Sequence, residues 1–307
     1  MGVSIIERAA GRWDEILPKL GFGSDWMRKK HGPCPMCGGK DRYRWGNKKG
    51  LGEYYCSGCG NGSGFDLLMK SFNQDFKTVV KKVEEIIGEA PPPKIKPKKE
   101  NPYLQRKLMV SLWESGRTVQ WDCPVGMYLS GRGIWRDHFH HLRSAMDVRF
   151  SGSPPMTFPA MLAKVISPEG KAVNIHRTFL TTDGEKAPVG NECKKLMSGM
   201  VPAGSAVRLS PVKDEMGIAE GIETALSASI LFNIPVWSVL NANNLMKFVV
   251  PDGVKRLVIF SDNDASFTGQ SASFALAREL ALKGKLQIEV MVPARSGEDW
   301  NDVLVRK

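Results

Sequence analysis

Two sets of residues in this 307-residue chain have the types and spacing to do chemistry. The first is Cys34-Pro-Met-Cys37, eighteen intervening residues, then Cys56-Ser-Gly-Cys59. Two Cys-x-x-Cys knuckles at this separation can close one tetrahedral thiolate site on two hairpin turns, with Gly38, Gly39 and Gly60 supplying the tight backbone after each knuckle. Four soft thiolates leave no open coordination position, so the pattern predicts one structural Zn2+ and no catalysis at that ion. His31, three residues ahead of Cys34, is read as a surface histidine, and Cys123 and Cys193 as packing residues. Between the knuckles runs Lys40-Asp-Arg42-Tyr43-Arg44-Trp45, with Lys48 and Lys49 behind it. Cations interleaved with rings on a small β surface suit single-stranded nucleic acid, through Arg42, Arg44 and Trp45. The alternative is that Tyr43 and Trp45 pack the segment's own core.

The second set is Glu220, Asp262, Asp264 and Asp299. Each follows an apolar run that reads as a strand: Met216–Ala219 before Glu220, Arg256–Ser261 before Asp262-Asn-Asp264, and Leu286–Val292 before Gly297-Glu-Asp299. If those strands are parallel, all four acids collect at the carboxyl edge of one sheet, where open α/β folds bind ligands. Carboxylates this close repel one another unless cations neutralise them, and oxygen ligands without His or Cys favour Mg2+ or Mn2+. A helix N-cap explains any one of these acids singly but not a convergent set.

The elements that must position these residues follow from periodicity. Residues 4–21 predict one amphipathic helix, and Phe65–Phe72 and Phe76–Ile87 two more, around strand-like Tyr43–Trp45 and Glu53–Tyr55. Five prolines interleaved with lysines at 90–102 exclude helix and central strand, leaving a stiff basic linker that either follows a phosphate backbone or is simply solvated. Tyr103–Ser115 predicts a helix, and Ala160–Ile166 with Ala172–Leu180 a strand pair. From 215 onward strands alternate with helices: helix Ile222–Phe232, strand Pro235–Leu240, helix Asn243–Val249, helix Thr268–Leu282 and a last helix from Trp300. The expected segments are therefore 1–90, a linker 91–102, a basic region 103–210 and a parallel α/β region 211–307.

Charge follows the same division. The net charge is +11, yet residues 211–307 hold 10 basic and 12 acidic side chains, so the excess lies in the first two-thirds. A basic body suits a polyanionic partner, and an acidic third suits metal-gathering carboxylates. No apolar run reaches bilayer-spanning length, and the charged N-terminal residues Glu7, Arg8, Arg12 and Asp14 do not read as a signal peptide, so no membrane association and a cytoplasmic location are expected.

A strand ending in Glu-Gly, a second ending in Asp-x-Asp and a late Gly-x-Asp resemble the Toprim domain of bacterial primases, type IA topoisomerases and some nucleases. Pro33-Cys-Pro-Met-Cys-Gly-Gly-Lys-Asp-Arg-Tyr-Arg44 resembles the zinc-binding domain of phage and plasmid primase–helicases. Gly170–Leu180 and Lys194-Lys-Leu-Met-Ser198 are similar, more loosely, to the basic segment preceding Toprim in such primases. The resemblance implies a multidomain chain: a small β zinc ribbon with flanking helices, an α+β basic subdomain, and an α/β Toprim domain with a central parallel sheet. It implies DNA-directed synthesis of short RNA primers from NTPs on a single-stranded DNA template. Glu220 would position metal and could act as general base, Asp262 and Asp264 would hold the divalent ions, and Asp299 would assist. Arg177, Lys194, Lys195 and Arg208 would line the approach for phosphates, although each could be an ordinary surface charge. Gly269, opening the helix after Asp-Asn-Asp, would leave its amide free for a phosphate. No Walker A sequence is present, so a replicative helicase would be a separate protein, or absent. The competing readings are a Toprim-type metal-dependent nuclease and a non-catalytic single-strand-binding replication protein.

Overall fold

The apolar spacing of residues 4–21 folds as two helices, α1 (Ile5–Ala9) and α2 (Trp13–Lys19), where the sequence predicts one. Gly11 is the reason: it takes φ +79°, a left-handed conformation that stops a helix, and its N–H donates to Gly50 O. The computed structural model describes residues 4–28, 30–47, 50–88, 101–150, 156–189, 193–284 and 286–306. Lys48, Lys49 and all but the last two residues of the expected linker lie outside these. Those last two begin a helix: Asn101 caps it and Pro102 takes its first position, where no N–H is needed.

The chain divides into two compact units, Met1–Glu100 and Asn101–Lys307. In the first, β1 (Gly32–Cys34), β2 (Gly38–Trp45), β3 (Tyr54–Cys56) and β4 (Gly60–Gly62) form an antiparallel sheet in sequence order. Helices α3 (Gly64–Phe72) and α4 (Phe76–Ile87) follow, capped by Ser63 and Asp75. Side chains alternate across a strand, so Tyr43 and Trp45 turn inward, to 2% and 3% exposure, and join Trp13, Leu17, Phe65, Leu68 and Val83 in one core.

In the second unit, α5 (Pro102–Ser115) and α6 (Pro124–Ser130) precede an antiparallel set: β5 (Leu142–Phe150), β6 (Met156–Ile166), β7 (Ala172–Phe179) and β8 (Lys194–Leu196). The two-residue β9 (Ala206–Val207) pairs with β6 on one side and β11 (Val236–Ser238) on the other. Beyond it β11, β10 (Glu215–Ala219), β12 (Arg256–Phe260) and β13 (Gln287–Met291) run parallel. Among the described residues all nine strands thus share one sheet, in the order β13-β12-β10-β11-β9-β6-β7-β8, with β5 on β6.

Helices cover both faces of the parallel part. Val258 and Phe260 of β12 pack on one face with α7 (Ile222–Phe232) and α10 (Trp300–Arg306); Leu257 and Ile259 pack on the other with α8 (Ala242–Leu245) and α9 (Thr268–Leu282). Residues alternating between two buried faces read as the continuous apolar runs that the sequence shows. Close approaches make some positions unforgiving. A Cβ at Gly64 would lie 2.3 Å from the ring of Trp13. Gly64→Ala is therefore expected to destabilise the first unit by about 1–3 kcal/mol, measured by denaturant unfolding of the full chain against wild type.

Candidate functional site

The four cysteines meet at the knuckle turns of β1–β2 and β3–β4, with all four Sγ atoms within 4.8 Å of one another. The Cys34–Cys59, Cys37–Cys56 and Cys56–Cys59 separations are 3.6 Å. A tetrahedron with metal–sulfur bonds of about 2.3 Å has edges of about 3.8 Å, so the cage has the size of a zinc site. Thiols packed this closely cannot all ionise unaided. Cys56, accepting from Cys34, is held down to about 5; Cys34 is pushed far up by giving that bond, and Cys59 to about 12 by burial first. A divalent cation resolves this conflict by binding all four as thiolates. His31 stays outside the cage, with Nδ1 2.9 Å from Asp41 O.

The strip between the knuckles divides between the two faces of the sheet. Trp45, expected to stack a base, is instead buried, and its indole N–H donates to Asp14 Oδ1 at 3.3 Å. The outward face carries Arg42 and Arg44, and Arg44 pairs across the sheet with Tyr55, which in turn pairs with Asn61. Tyr55 keeps 38% exposure and is the ring that accompanies the arginines. Alternation from Tyr54, which packs on Tyr43 inside, was the signal that could have found it.

In the second unit the four acids converge at the carboxyl edge of the parallel strands. Glu220 directly follows β10, and its carbonyl is held by Leu240 N–H at 2.8 Å and Ser238 Oγ at 2.7 Å. Asp262 and Asp264 follow β12 in a loop stapled by the intervening Asn263. That residue donates from Nδ2 to Pro293 O and accepts at Oδ1 from Gln270, while its N–H donates to Glu298 O. A Cβ at Gly269 would lie 3.3 Å from Asp264 Oδ2 and 3.4 Å from Glu220 Oε1, so α9 opens directly against both carboxylates. Asp299 caps α10, its Oδ1 accepting from the N–H groups of Asn301 and Asp302 at 2.7 and 3.0 Å.

Burial pushes Asp262 up to about 7, the charges of Glu220, Asp299 and Asp264 add to it, and Lys194 pulls partly back. Asp262 Oδ1 is buried with no hydrogen-bond partner among the described residues. Asp264 is the opposite case. Burial would raise it, but hydrogen bonds from the Ser266 hydroxyl and the N–H groups of Gly269, Thr268 and Ser266 hold it below the ordinary range. Those bonds correct one expectation: the amide of Gly269 is not free for a phosphate, because it donates to Asp264 Oδ2 at 3.1 Å. Among the described residues the cysteines alone draw three or more metal-ligating side chains into a tight cage; the carboxylates form a wider cluster. Mg2+ keeps several waters and is commonly held by one or two carboxylates plus substrate phosphates, which suits such a set with an orphaned oxygen in it.

Of the basic residues expected at the approach, Lys194 is the one whose charge is felt at Asp262. Lys194 pairs with Thr178 across β7–β8 and Lys195 with Arg177, so the two lysines point to opposite faces. Lys194 Nζ bonds Glu223 Oε2 at 2.8 Å, and its charge reaches Asp262. Lys195 lies over the Phe150 ring at 4.1 Å and Arg177 over Phe179 at 5.3 Å, away from the cluster. Arg208 is anchored elsewhere, donating to the carbonyls of Ser167 and Pro168 and stacking on Trp237. Glu223 was missed by sequence reading. Its signal was one acid inside the otherwise uncharged helix Ile222–Phe232, every residue of which is buried from Ile222 to Ser229.

Asp262 sets a pH dependence whose sign can be worked out. An unfolded aspartate titrates near 4, and the folded one near 7. Stability conferred at low pH is therefore lost as pH rises between those values and stays lost above 7. In metal-free buffer at pH 8, Asp262→Asn is expected to stabilise the chain by on the order of 2 kcal/mol, allowing for partial exposure. The gain should vanish below about pH 4, as read from denaturant unfolding across the range.

Three domain models match this chain: a zinc-binding domain of primase-helicase over residues 29–65, a domain of unknown function over 104–209, and a Toprim domain over 215–307. Among solved structures it is similar to the primase fragment of the bacteriophage T7 primase-helicase protein. Identity is 17%, over 90% of this chain and 94% of that one, with a TM-score of 0.41. It is also similar to the zinc-binding and RNA polymerase domains of Aquifex aeolicus primase, at 11% identity, 99% and 83% coverage and a TM-score of 0.42. The Escherichia coli primase catalytic core gives 14% identity, 66% and 76% coverage and a TM-score of 0.41. Overlaps this loose leave the domain models and the geometry to carry the assignment.

Proposed function

We propose that this chain, which joins a primase-type zinc ribbon to a Toprim domain, is a DNA primase making short RNA primers on single-stranded DNA from NTPs. The observation that carries the reading is the convergence of Glu220, Asp262 and Asp264 at one sheet edge, with the Asp262 carboxyl oxygen Oδ1 left unpartnered among the described residues, in a chain that also holds a zinc ribbon. Glu220, Asp262 and Asp264 would hold Mg2+ or Mn2+. Such ions polarise phosphoryl oxygens and stabilise the attacking and leaving oxygens of an in-line displacement. The protein's own contribution would be placement. Glu220 would accept the proton of the attacking 3′-hydroxyl, and Lys194, whose charge is felt at Asp262, would supply a positive charge for the triphosphate. Asp299 holds α10 in place and adds its charge to the cluster. Arg42, Arg44 and Tyr55 offer cations and a ring to the template. No helix of the described residues is long and apolar enough to cross a membrane. On this reading the protein would work in the cytoplasm, alongside a replicative helicase where one is present.

With single-stranded DNA, NTPs and Mg2+, labelled oligoribonucleotides are expected from wild type and none from Asp262→Ala. DNA cleavage without NTPs, and no primers under any metal or template, would instead make the protein a nuclease. Replacing Arg42, Arg44 and Tyr55 by Ala together is expected to weaken single-strand affinity at least tenfold, by about 1–3 kcal/mol for the stacked base alone. Fluorescence anisotropy at fixed salt measures this, and an unchanged affinity would remove the ribbon face from the template path.

A further inference from the structure

Glu223 is the ionised group at this edge that the proposed reaction leaves unused. It lies one helical turn past Glu220 on α7 at 4% exposure, a position where a carboxylate is unfavourable unless fully paired. It is fully paired. Oε1 accepts from the Tyr128 hydroxyl at 2.6 Å, and Oε2 from Lys194 Nζ at 2.8 Å. Burial alone would raise its pKa, but Lys194 first and then Tyr128 hold it down to about 2. Three elements meet at this carboxylate: α6 through Tyr128, β8 through Lys194, and α7 itself. His176 of β7 faces the same group and is kept neutral by burial and by the charge of Lys194, titrating at about 4. The Arg132 guanidinium lies over the Tyr128 ring at 4.8 Å.

A buried ion pair is seldom worth more to stability than well-packed apolar residues of the same volume, so stability gives little reason to keep this one. Position gives a better reason. Lysine carries a point charge on a flexible four-carbon stem and holds one location only when something pins it. Lys194 is 38% exposed at its side chain, open to a ligand, while its partner Glu223 is sealed inside. Its charge is felt by both Glu223 and Asp262. Without Glu223 the ammonium would turn to the nearest remaining anions, the carboxylates themselves, and compete there with a divalent cation.

We infer that Glu223 and Tyr128 are positioning residues: they pin Lys194, supplied by the region of unknown function, beside the carboxylate cluster as a receptor for a phosphate oxygen of the nucleoside triphosphate. The inference rests on the primase reading for its substrate. It gives the region 104–209 a task in the site, since two of the three clamp residues come from it.

The experiment is a double-mutant cycle on Lys194→Ala and Glu223→Gln, with two readouts. One is the affinity of a fluorescent ATP analogue in Mg2+, which needs no turnover; the other is KM and kcat for NTPs in primer synthesis. Each single variant is expected to weaken the analogue by about tenfold, the scale of one charge-assisted hydrogen bond. KM should rise more than kcat falls, and Glu223→Gln should add nothing in the Lys194→Ala background. Tyr128→Phe keeps the ion pair and the fold and should weaken the analogue by a smaller factor in the same direction. Effects that add across the cycle would overturn the inference, as would variants that lower Tm and kcat while leaving analogue affinity unchanged. If wild type makes no primers but the cycle on analogue affinity is non-additive, the primase reading fails and the clamp stands.

Discussion

Four carboxylates crowded at one sheet edge repel one another, and much of the second unit can be understood as the means of holding them there. Parallel strands deliver Glu220 and the Asp262–Asp264 pair to the same edge, because β10 and β12 are adjacent and in register from Glu215 and Arg256 to Ala219 and Phe260. The helices that follow begin at that edge, so α7, α9 and α10 turn their positive ends toward the acids, each worth about 0.3–1 kcal/mol. Asp264 and Asp299 are further settled by amide hydrogen bonds. Asp262 has an oxygen without such a bond among the described residues, and burial with the neighbouring charges pushes its pKa up. The ribbon meets a similar difficulty with sulfur: its four thiols are packed more tightly still, and a cation relieves them in the same way.

The basic residues show how strictly a pleat sorts side chains. Lys194 and Lys195 are neighbours in sequence, yet one bonds the buried carboxylate of Glu223 and the other lies over an aromatic ring on the opposite face. The same alternation puts Trp45 inside the ribbon and Arg44 outside. A charge or a ring counts toward binding only from the face that meets the ligand.

Much of the parallel region was legible because its signals are local. Apolar runs of strand length ending in an acid, alternating with helices, specify both the sheet and the edge, and the Cys-x-x-Cys spacing specifies the cage. Harder to read was whatever depends on distant pairing. The face of Lys194 is set by its register with Thr178, and the burial of Glu223 by packing against α6 and β8. The amide of Gly269 was expected to be free because the sequence cannot show that Asp264 folds back onto it. The break at Gly11 was a matter of one glycine outweighing a good amphipathic period.

The two-residue strand β9 joins the antiparallel and parallel halves of the sheet. A fragment beginning at residue 211 would strip that strand from β11, leaving an open backbone edge and depriving the Trp237 indole of its acceptor, Ser210 O. Open edges of this kind recruit other chains. The two stretches matched by separate domain models are thus joined in one sheet: either one, produced without the other, would carry an adhesive rim where its missing half had been.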